Sequence, residues 1–140
     1  MTDAILRIGT LGLGRAFTLM LPTFVSDPRV ELVAAAEPLL APRKCFAQDF
    51  TKKIYEDAEA LCRDPNVDVV YIASPHKFHV SHAEMAAAAG KHILVEKPMA
   101  LNLGECMRMN EAAAKANVHL IIGHSHSFDA PILRTRAHIA

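Results

Sequence analysis

The sequence predicts an α/β domain, a doubly wound parallel sheet of about six strands with helices on both faces. Three observations carry this. Short β-branched runs alternate with longer alanine-rich stretches, the pattern of strands joined by crossover helices. The run Asp68 to Ala73 (DVVYIA) is apolar without alternation, as expected of a central parallel strand covered on both faces. A glycine-rich turn follows the first run and opens a helix; with right-handed crossovers, that suggests the strand order 3-2-1-4-5-6.

The elements follow in order. Ile5 to Ile8 reads as the first strand, Gly9 to Gly14 as the turn, and Arg15 to about Ser26 as a helix. Pro22 inside that helix predicts a kink or a broken first turn, because it removes a donor and crowds the preceding turn. Val30 to Ala36 is the second strand and Leu40 to Phe50 the second helix. Lys53 to Tyr55 is a weak third strand, after which Asp57 can cap a short helix reaching Arg63. Phe78 to Ala89 is a helix closed by Gly90, which tolerates positive φ. His92 to Val95 is the fifth strand. Asn102 with Glu105 resembles a capping box and starts a helix running to about Asn117. His119 to Ile122 is the sixth strand, ended by Gly123.

Composition narrows the possible functions. The 140 residues suit one domain with a real core, and 51% hydrophobic with 21% charged residues fits a soluble globular protein. Net charge is zero, so no global basic field favours nucleic acid or an anionic membrane. No apolar run reaches the roughly 20 residues of a membrane span. Met1-Thr2-Asp3-Ala4 shows no basic region before an apolar stretch, so no signal peptide is read. Cys45, Cys62 and Cys106 are odd in number and far apart, which disfavours a disulfide framework or a zinc site and fits a reducing cytoplasm.

In doubly wound sheets, ligands sit at the carboxyl ends of the strands where the order reverses. The first turn there is Gly9-Thr10-Leu11-Gly12-Leu13-Gly14-Arg15-Ala16-Phe17. Gly12 would make the tight turn and Gly14 would let the backbone approach a pyrophosphate lying on the helix N-terminus. This is the glycine turn of the Rossmann dinucleotide fold, and its strand–turn–helix context gives the motif meaning. Phe17 holds the usual third glycine or alanine position, so the helix is expected slightly off the first strand. Glu37 ends the second strand, where a carboxylate can accept from ribose hydroxyls and repel a 2′-phosphate, which favours NAD. The alternatives are a solvated strand-end glutamate, or NADP held by Arg43 and Lys44 with Glu37 turned away.

After the fourth strand comes Ser74-Pro75-His76-Lys77-Phe78-His79, and after the fifth Glu96-Lys97-Pro98. With the glycine turn and Glu37-Pro38, and above all with Glu96-Lys97-Pro98, the chain resembles the glucose–fructose oxidoreductase, inositol dehydrogenase and MocA family over essentially its whole length. The resemblance implies an NAD(P)-dependent dehydrogenase in which Lys97 is catalytic, hydrogen-bonding the reacting oxygen. Its charge would favour an alkoxide-like transition state, and a depressed pKa would let it relay a proton. The alternative is a surface lysine paired with Glu96. The implied cofactor-binding residues are Gly9, Leu11, Gly12, Leu13, Gly14, Arg15, Ala16 and Glu37. To these are added Ala73, Ser74, Pro75, His76 and His79 along the pyrophosphate and nicotinamide ribose, and Glu96, Lys97 and Pro98, the proline with a candidate cis bond.

Within the family, Gly14-Arg15-Ala16-Phe17-Thr18-Leu19-Met20-Leu21-Pro22 and Gly123-His124-Ser125-His126-Ser127-Phe128-Asp129 resemble the cis-dihydrodiol dehydrogenases of phthalate breakdown. That implies oxidation of a phthalate cis-dihydrodiol to dihydroxyphthalate with NAD. Where many members carry a Gly-Tyr-Asn-Arg-Arg-Phe-like segment, Gly123 and Phe128 match and the four residues between them depart, which argues against a common sugar substrate.

Eight histidines allow three readings. They line the substrate crevice, favoured for His124 and His126; they bind a metal, disfavoured because no acidic or cysteine partner sits at motif spacing; or they cap the helix after Pro75, favoured for His82. The resemblance further implies that residues 1–129 form the NAD-binding domain. Residues 130–140 would begin a crossover into an α+β substrate domain that completes the active site and the homo-oligomer interface. The 140 residues alone are then expected to bind cofactor with little turnover, and to expose apolar surface. The competing functions are an NADP-dependent sugar or polyol dehydrogenase, a non-catalytic dinucleotide sensor, and a histidine-based metal-binding module.

Overall fold

Leu6–Leu11 forms β1, and its last four residues are all buried because it lies in the middle of the sheet. The computed structural model describes residues 5–139; Met1–Ala4, the stretch read above for a signal peptide, and Ala140 lie outside them. Beyond β1 come α1 (Arg15–Ser26), β2 (Val30–Ala36), α2 (Leu40–Asp49), β3 (Lys53–Tyr55), α3 (Ala58–Cys62) and β4 (Val69–Ile72). A 3-10 turn (His76–Phe78) then leads into α4 (His79–Ala88), followed by β5 (His92–Glu96), α5 (Leu103–Ala116) and β6 (Leu120–Gly123). A second 3-10 turn (Ser125–Phe128) precedes α6 (Ala130–Ile139). The strands form one parallel sheet in the order β3-β2-β1-β4-β5-β6, as predicted.

Two apolar clusters cover the two faces. Phe17 and Phe24 of α1 and Phe46 of α2 pack with Ile8, Leu32, Ala35 and Tyr71 on one face. Leu61 and Cys62 of α3, Val80 and Ala83 of α4, and Met109 and Ala113 of α5 pack with Leu11, Val70, Ile72 and Val95 on the other. Neighbouring β4 residues therefore feed opposite clusters, Tyr71 one and Ile72 the other, as the two-residue period of a strand requires. Phe24 meets Tyr71 edge-on with centroids 5.3 Å apart, a contact worth roughly 0.5–1.5 kcal/mol beyond its buried area. The change of face between α1 and α4 opens the sheet between the carboxyl ends of β1 and β4.

Polar groups at the opposite, amino-terminal edge are consumed in structure. The Arg7 guanidinium grips Asp68 at 2.6 and 2.9 Å, and the Arg7 N–H donates to the same carboxylate, so the starts of β1 and β4 are clipped together. Buried Asp64 accepts from Tyr55 Oη at 2.9 Å, and Lys91 Nζ donates to the carbonyls of Asp64 and Val67. The caps form as expected: Asp57 accepts from the Ala60 N–H, Asn102 from the Glu105 N–H, and the Glu105 carboxylate from the Leu101 N–H.

Several expectations are corrected. Gly9 belongs to β1 rather than to the turn; a Cβ there would meet Leu61 and Val67 at 2.9 to 3.1 Å, so its bareness lets the segment around α3 close down on the strand. The helix α1 runs unbroken through Pro22, because Pro22 and Thr18, whose carbonyl loses its partner, are both exposed and water can substitute. One expectation holds: α1 stands off β1. Phe17 turns into the layer between α1 and α2, 6.1 Å from the Phe46 ring, and α1 packs chiefly over β2. The helix expected from Phe78 is a 3-10 turn as far as that residue and α-helical only from His79.

Candidate cofactor site

A groove of about 1270 Å³ runs along the carboxyl ends of the strands, beyond the roughly 300–1,000 Å³ of a typical small-molecule pocket and suited to an extended ligand. Its centre is the β1–α1 turn. Gly12 has φ +95, and a Cβ on it would sit 2.9 Å from the Ala73 carbonyl oxygen, so only glycine lets β1 turn this close to β4. Gly14, by contrast, has nothing within 4 Å of its Cβ position. It is the N-cap of α1 with no side-chain cap, and the first turn carries no acidic residue. Bare N–H groups facing open space beside a glycine fit a phosphate, which supplies the acceptors and the negative charge that this helix end lacks.

Glu37 stands at the end of β2, only 7% exposed, so it is not the solvated glutamate of the alternative reading. Its carboxylate accepts from the Leu13 N–H and the Leu39 N–H, each at 3.0 Å. It thereby braces the glycine turn and keeps lone pairs for ligand hydroxyls. The Arg43 guanidinium pairs with Glu56 at 2.8 Å and donates to the Glu37 carbonyl; neither Arg43 nor Lys44 lines the groove.

On the other side, Glu96 ends β5, pairing with Gly123 of β6. Tyr71 Oη donates to its carboxylate at 2.7 Å and the Lys97 N–H donates at 3.3 Å. Its own burial, and then the Glu96 carboxylate beside it, push the Tyr71 hydroxyl far above its ordinary value, so it remains a donor. Among the described residues the Lys97 ammonium makes no ion pair with Glu96; the side chain is exposed and lines the groove. The Lys97–Pro98 peptide is cis.

Of the residues singled out from sequence, the groove is lined by Leu11, Gly12, Leu13, Gly14, Arg15, Ala16, Glu37, Ala73, Ser74, Pro75, His76, His79, Glu96, Lys97 and His126. Gly9, Pro98 and His124 are not among its walls. The Pro98 carbonyl instead faces His79, and the His124 carbonyl accepts from the Ser127 N–H and hydroxyl, holding the turn that presents Ser125 and His126. His126 Nδ1 lies 2.9 Å from the Asp129 carboxylate. His82 does not cap a helix: it lies inside α4, with Nδ1 2.9 Å from Ser74 Oγ and its ring stacked on Phe78. No group of three or more His, Cys, Asp or Glu side chains is placed to hold a metal among the described residues. Walls that the motifs did not mark are Leu39, Pro42, Glu56 and Asp57 at one end, and Thr23 of α1; Leu19 and Met20, from the segment that carries the subgroup resemblance, line it as well. Position alone, just after β2 and β3, would have pointed to the first group.

Residues 6–124 match an oxidoreductase family with an NAD-binding Rossmann fold, GFO/IDH/MocA. The chain is 54% identical over 132 residues to 1-carboxy-3-chloro-3,4-dihydroxycyclohexa-1,5-diene dehydrogenase of Comamonas testosteroni, covering 94% of this chain and 33% of that protein. It is 33% identical to myo-inositol 2-dehydrogenase of Thermotoga maritima over 89% of this chain and 37% of that one. The crystal structure of scyllo-inositol dehydrogenase from Lactobacillus casei with bound NAD(H) and scyllo-inositol superposes with a TM-score of 0.87 at 25% identity. That match covers 96% of this chain and 41% of that one. The chain thus spans about a third of the length of the curated relatives it matches.

Proposed function

Because this chain belongs to the GFO/IDH/MocA family of oxidoreductases, we propose that it is the cofactor-binding part of an NAD-dependent dehydrogenase that oxidises a carboxylated cyclohexadiene cis-dihydrodiol, of the phthalate type, to the corresponding catechol. The observation that carries this reading is the convergence of the Gly12–Gly14 turn, Glu37 and Lys97 on one groove. The substrate class is supported by the similarity to a dehydrogenase whose name describes a carboxylated dihydroxycyclohexadiene.

In this reading the bare N–H groups of α1 hold the pyrophosphate and Glu37 accepts from the adenosine ribose. Its carboxylate disfavours a 2′-phosphate, and Arg43 is engaged with Glu56 rather than available to hold one. A nicotinamide held there would supply the hydride acceptor for oxidation at the carbinol carbon. Lys97 donates a hydrogen bond to the carbinol oxygen and steadies its developing negative charge as the hydroxyl proton passes to water. The resulting ketone regains aromaticity by tautomerising to the phenol. His126, oriented by Asp129, contacts the substrate. Residues 1–129 form the cofactor domain, and 130–140 begin the crossover to a substrate domain in a cytoplasmic homo-oligomer. The fully exposed α6 and the free thiols of Cys45, Cys62 and Cys106 support that reading.

The test has two steps. Calorimetric titration of the chain should give clear NAD binding and much weaker NADP binding. The longer protein should turn over carboxylated cis-dihydrodiols faster than inositols, and Lys97→Ala should abolish turnover while retaining NAD binding. Full turnover by Lys97→Ala would sink the role given to that lysine.

A further inference from the structure

His79 opens α4 and is completely buried, 0% exposed. Its Nδ1 lies 3.0 Å from the Pro98 carbonyl oxygen and 3.3 Å from that of Met99, while Nε2 lies 3.0 Å from the Ser74 carbonyl oxygen. A carbonyl only accepts. A neutral imidazole has one N–H and one bare nitrogen, so in either tautomer a lone pair would face a carbonyl lone pair with no water between them. Only the doubly protonated ring satisfies both sides. We infer that His79 is held as an imidazolium, a buried cation that ties the Ser74 loop to the Lys97–Pro98 turn and adds positive charge to the wall of the groove.

The surroundings agree. Among the described residues no carboxylate pairs with His79. The titratable groups nearest it are His76, edge-on with ring centroids 5.4 Å apart, and His82, one turn along α4; Glu96 and Lys97 belong to the turn that it ties. Burial, and then the charge of His79, hold His82 below its ordinary value, so the neighbouring ring is neutral and adds no second cation. A buried charge needs compensation. Here three carbonyl oxygens supply part of it. An anion in the groove that His79 lines would supply the rest, and a dinucleotide pyrophosphate has the required charge. That last step rests on the cofactor reading of the groove; the charge of the ring does not.

The experiment is a two-bond proton–nitrogen correlation spectrum of the chain with isotope-labelled histidine, without nucleotide, at neutral pH. An ordinary histidine, with a value of about 6.5, is mostly neutral there. Its signals are assigned by their loss in His79→Gln. The expected result is two protonated nitrogens on His79 and one on His82. One protonated and one bare nitrogen on His79 would overturn the inference. In His79→Gln, whose amide keeps donors but no charge, NAD affinity should fall about ten-fold, about 1.4 kcal/mol, with the fold kept by circular dichroism. Unchanged affinity in that folded variant would remove the electrostatic role. If the groove binds no dinucleotide at all, the spectrum still decides the charge, so the two failures are distinguishable.

Discussion

Replacing Gly14 with alanine separates a turn that serves the fold from one that serves a ligand. Gly14 has φ −80 and ψ −163, a region any residue adopts, and a Cβ there meets nothing within 4 Å. Alanine gains about 0.4–1 kcal/mol from reduced freedom of the unfolded chain and loses a comparable amount as a poorer N-cap. The net effect on stability is within about 0.5 kcal/mol, a shift of roughly 2 °C in Tm for a chain of this size. Gly12→Ala is the contrast. At φ +95 alanine costs about 1–2 kcal/mol, and its Cβ would press on the Ala73 carbonyl at 2.9 Å, a backbone atom that cannot rotate away. Together these cost roughly 2–4 kcal/mol, or about 6–12 °C. Thermal melts by far-ultraviolet circular dichroism read the stabilities and calorimetry with NAD reads the binding. Gly14→Ala should melt like the parent yet bind NAD at least about ten-fold more weakly, since its Cβ fills the space through which phosphates reach α1. Parental affinity in Gly14→Ala would refute that path.

Three further outcomes follow from the geometry. In Glu37→Gln one amide oxygen cannot serve both the Leu13 and Leu39 N–H groups, so stability should fall by about 1–3 kcal/mol, with the ratio of NAD to NADP affinity falling in parallel titrations. The Arg7 hydrogen bonds hold the Asp68 carboxyl below its ordinary 3.8, so its contribution is present above that value and is lost as pH falls through the lower folded value. Asp68→Asn should therefore be less stable at neutral pH and show a flatter acid limb in urea melts run across pH. Burial pushes the Cys62 thiol up to about 11, whereas Cys45 is exposed. Mass spectrometry after mild alkylation should find Cys45 modified and Cys62 untouched until the chain is unfolded.

The sheet order was legible because its signals are local: the apolar run of β4, the glycine turn after β1 and the caps at Asp57 and Asn102 each act within a few residues. The departures arise where a partner is distant in sequence. Gly9 looks like part of the turn until Leu61 and Val67 close over it. Pro22 looks disruptive until its side of the helix proves to face water. The same holds for the groove. Gly12, Glu37 and Lys97 belong to recognisable patterns, but Leu39, Pro42 and Glu56 are unremarkable residues made walls by the register of β2 and β3. The ring nitrogens of His79 reach Ser74 on one side and Pro98 and Met99 on the other, so its setting follows from loop closure that no motif encodes.

The central position of β1 has a consequence for the order in which the chain can be completed. One edge of β1 pairs with β2 from Val30 onward, but its other edge, Ile8 to Leu11, finds its partner only in Val69–Ile72. On a ribosome, everything needed for three strands and three helices emerges before that second edge can be covered. During that interval an apolar strand destined for the interior presents unpaired N–H and C=O groups, a template for pairing with other chains. The arrival of β4 ends this exposure, and the Arg7–Asp68 clip fastens the new neighbour at its first residues. A nascent chain stalled before Asp68 should therefore depend on chaperones, and one stalled beyond Ile72 much less so.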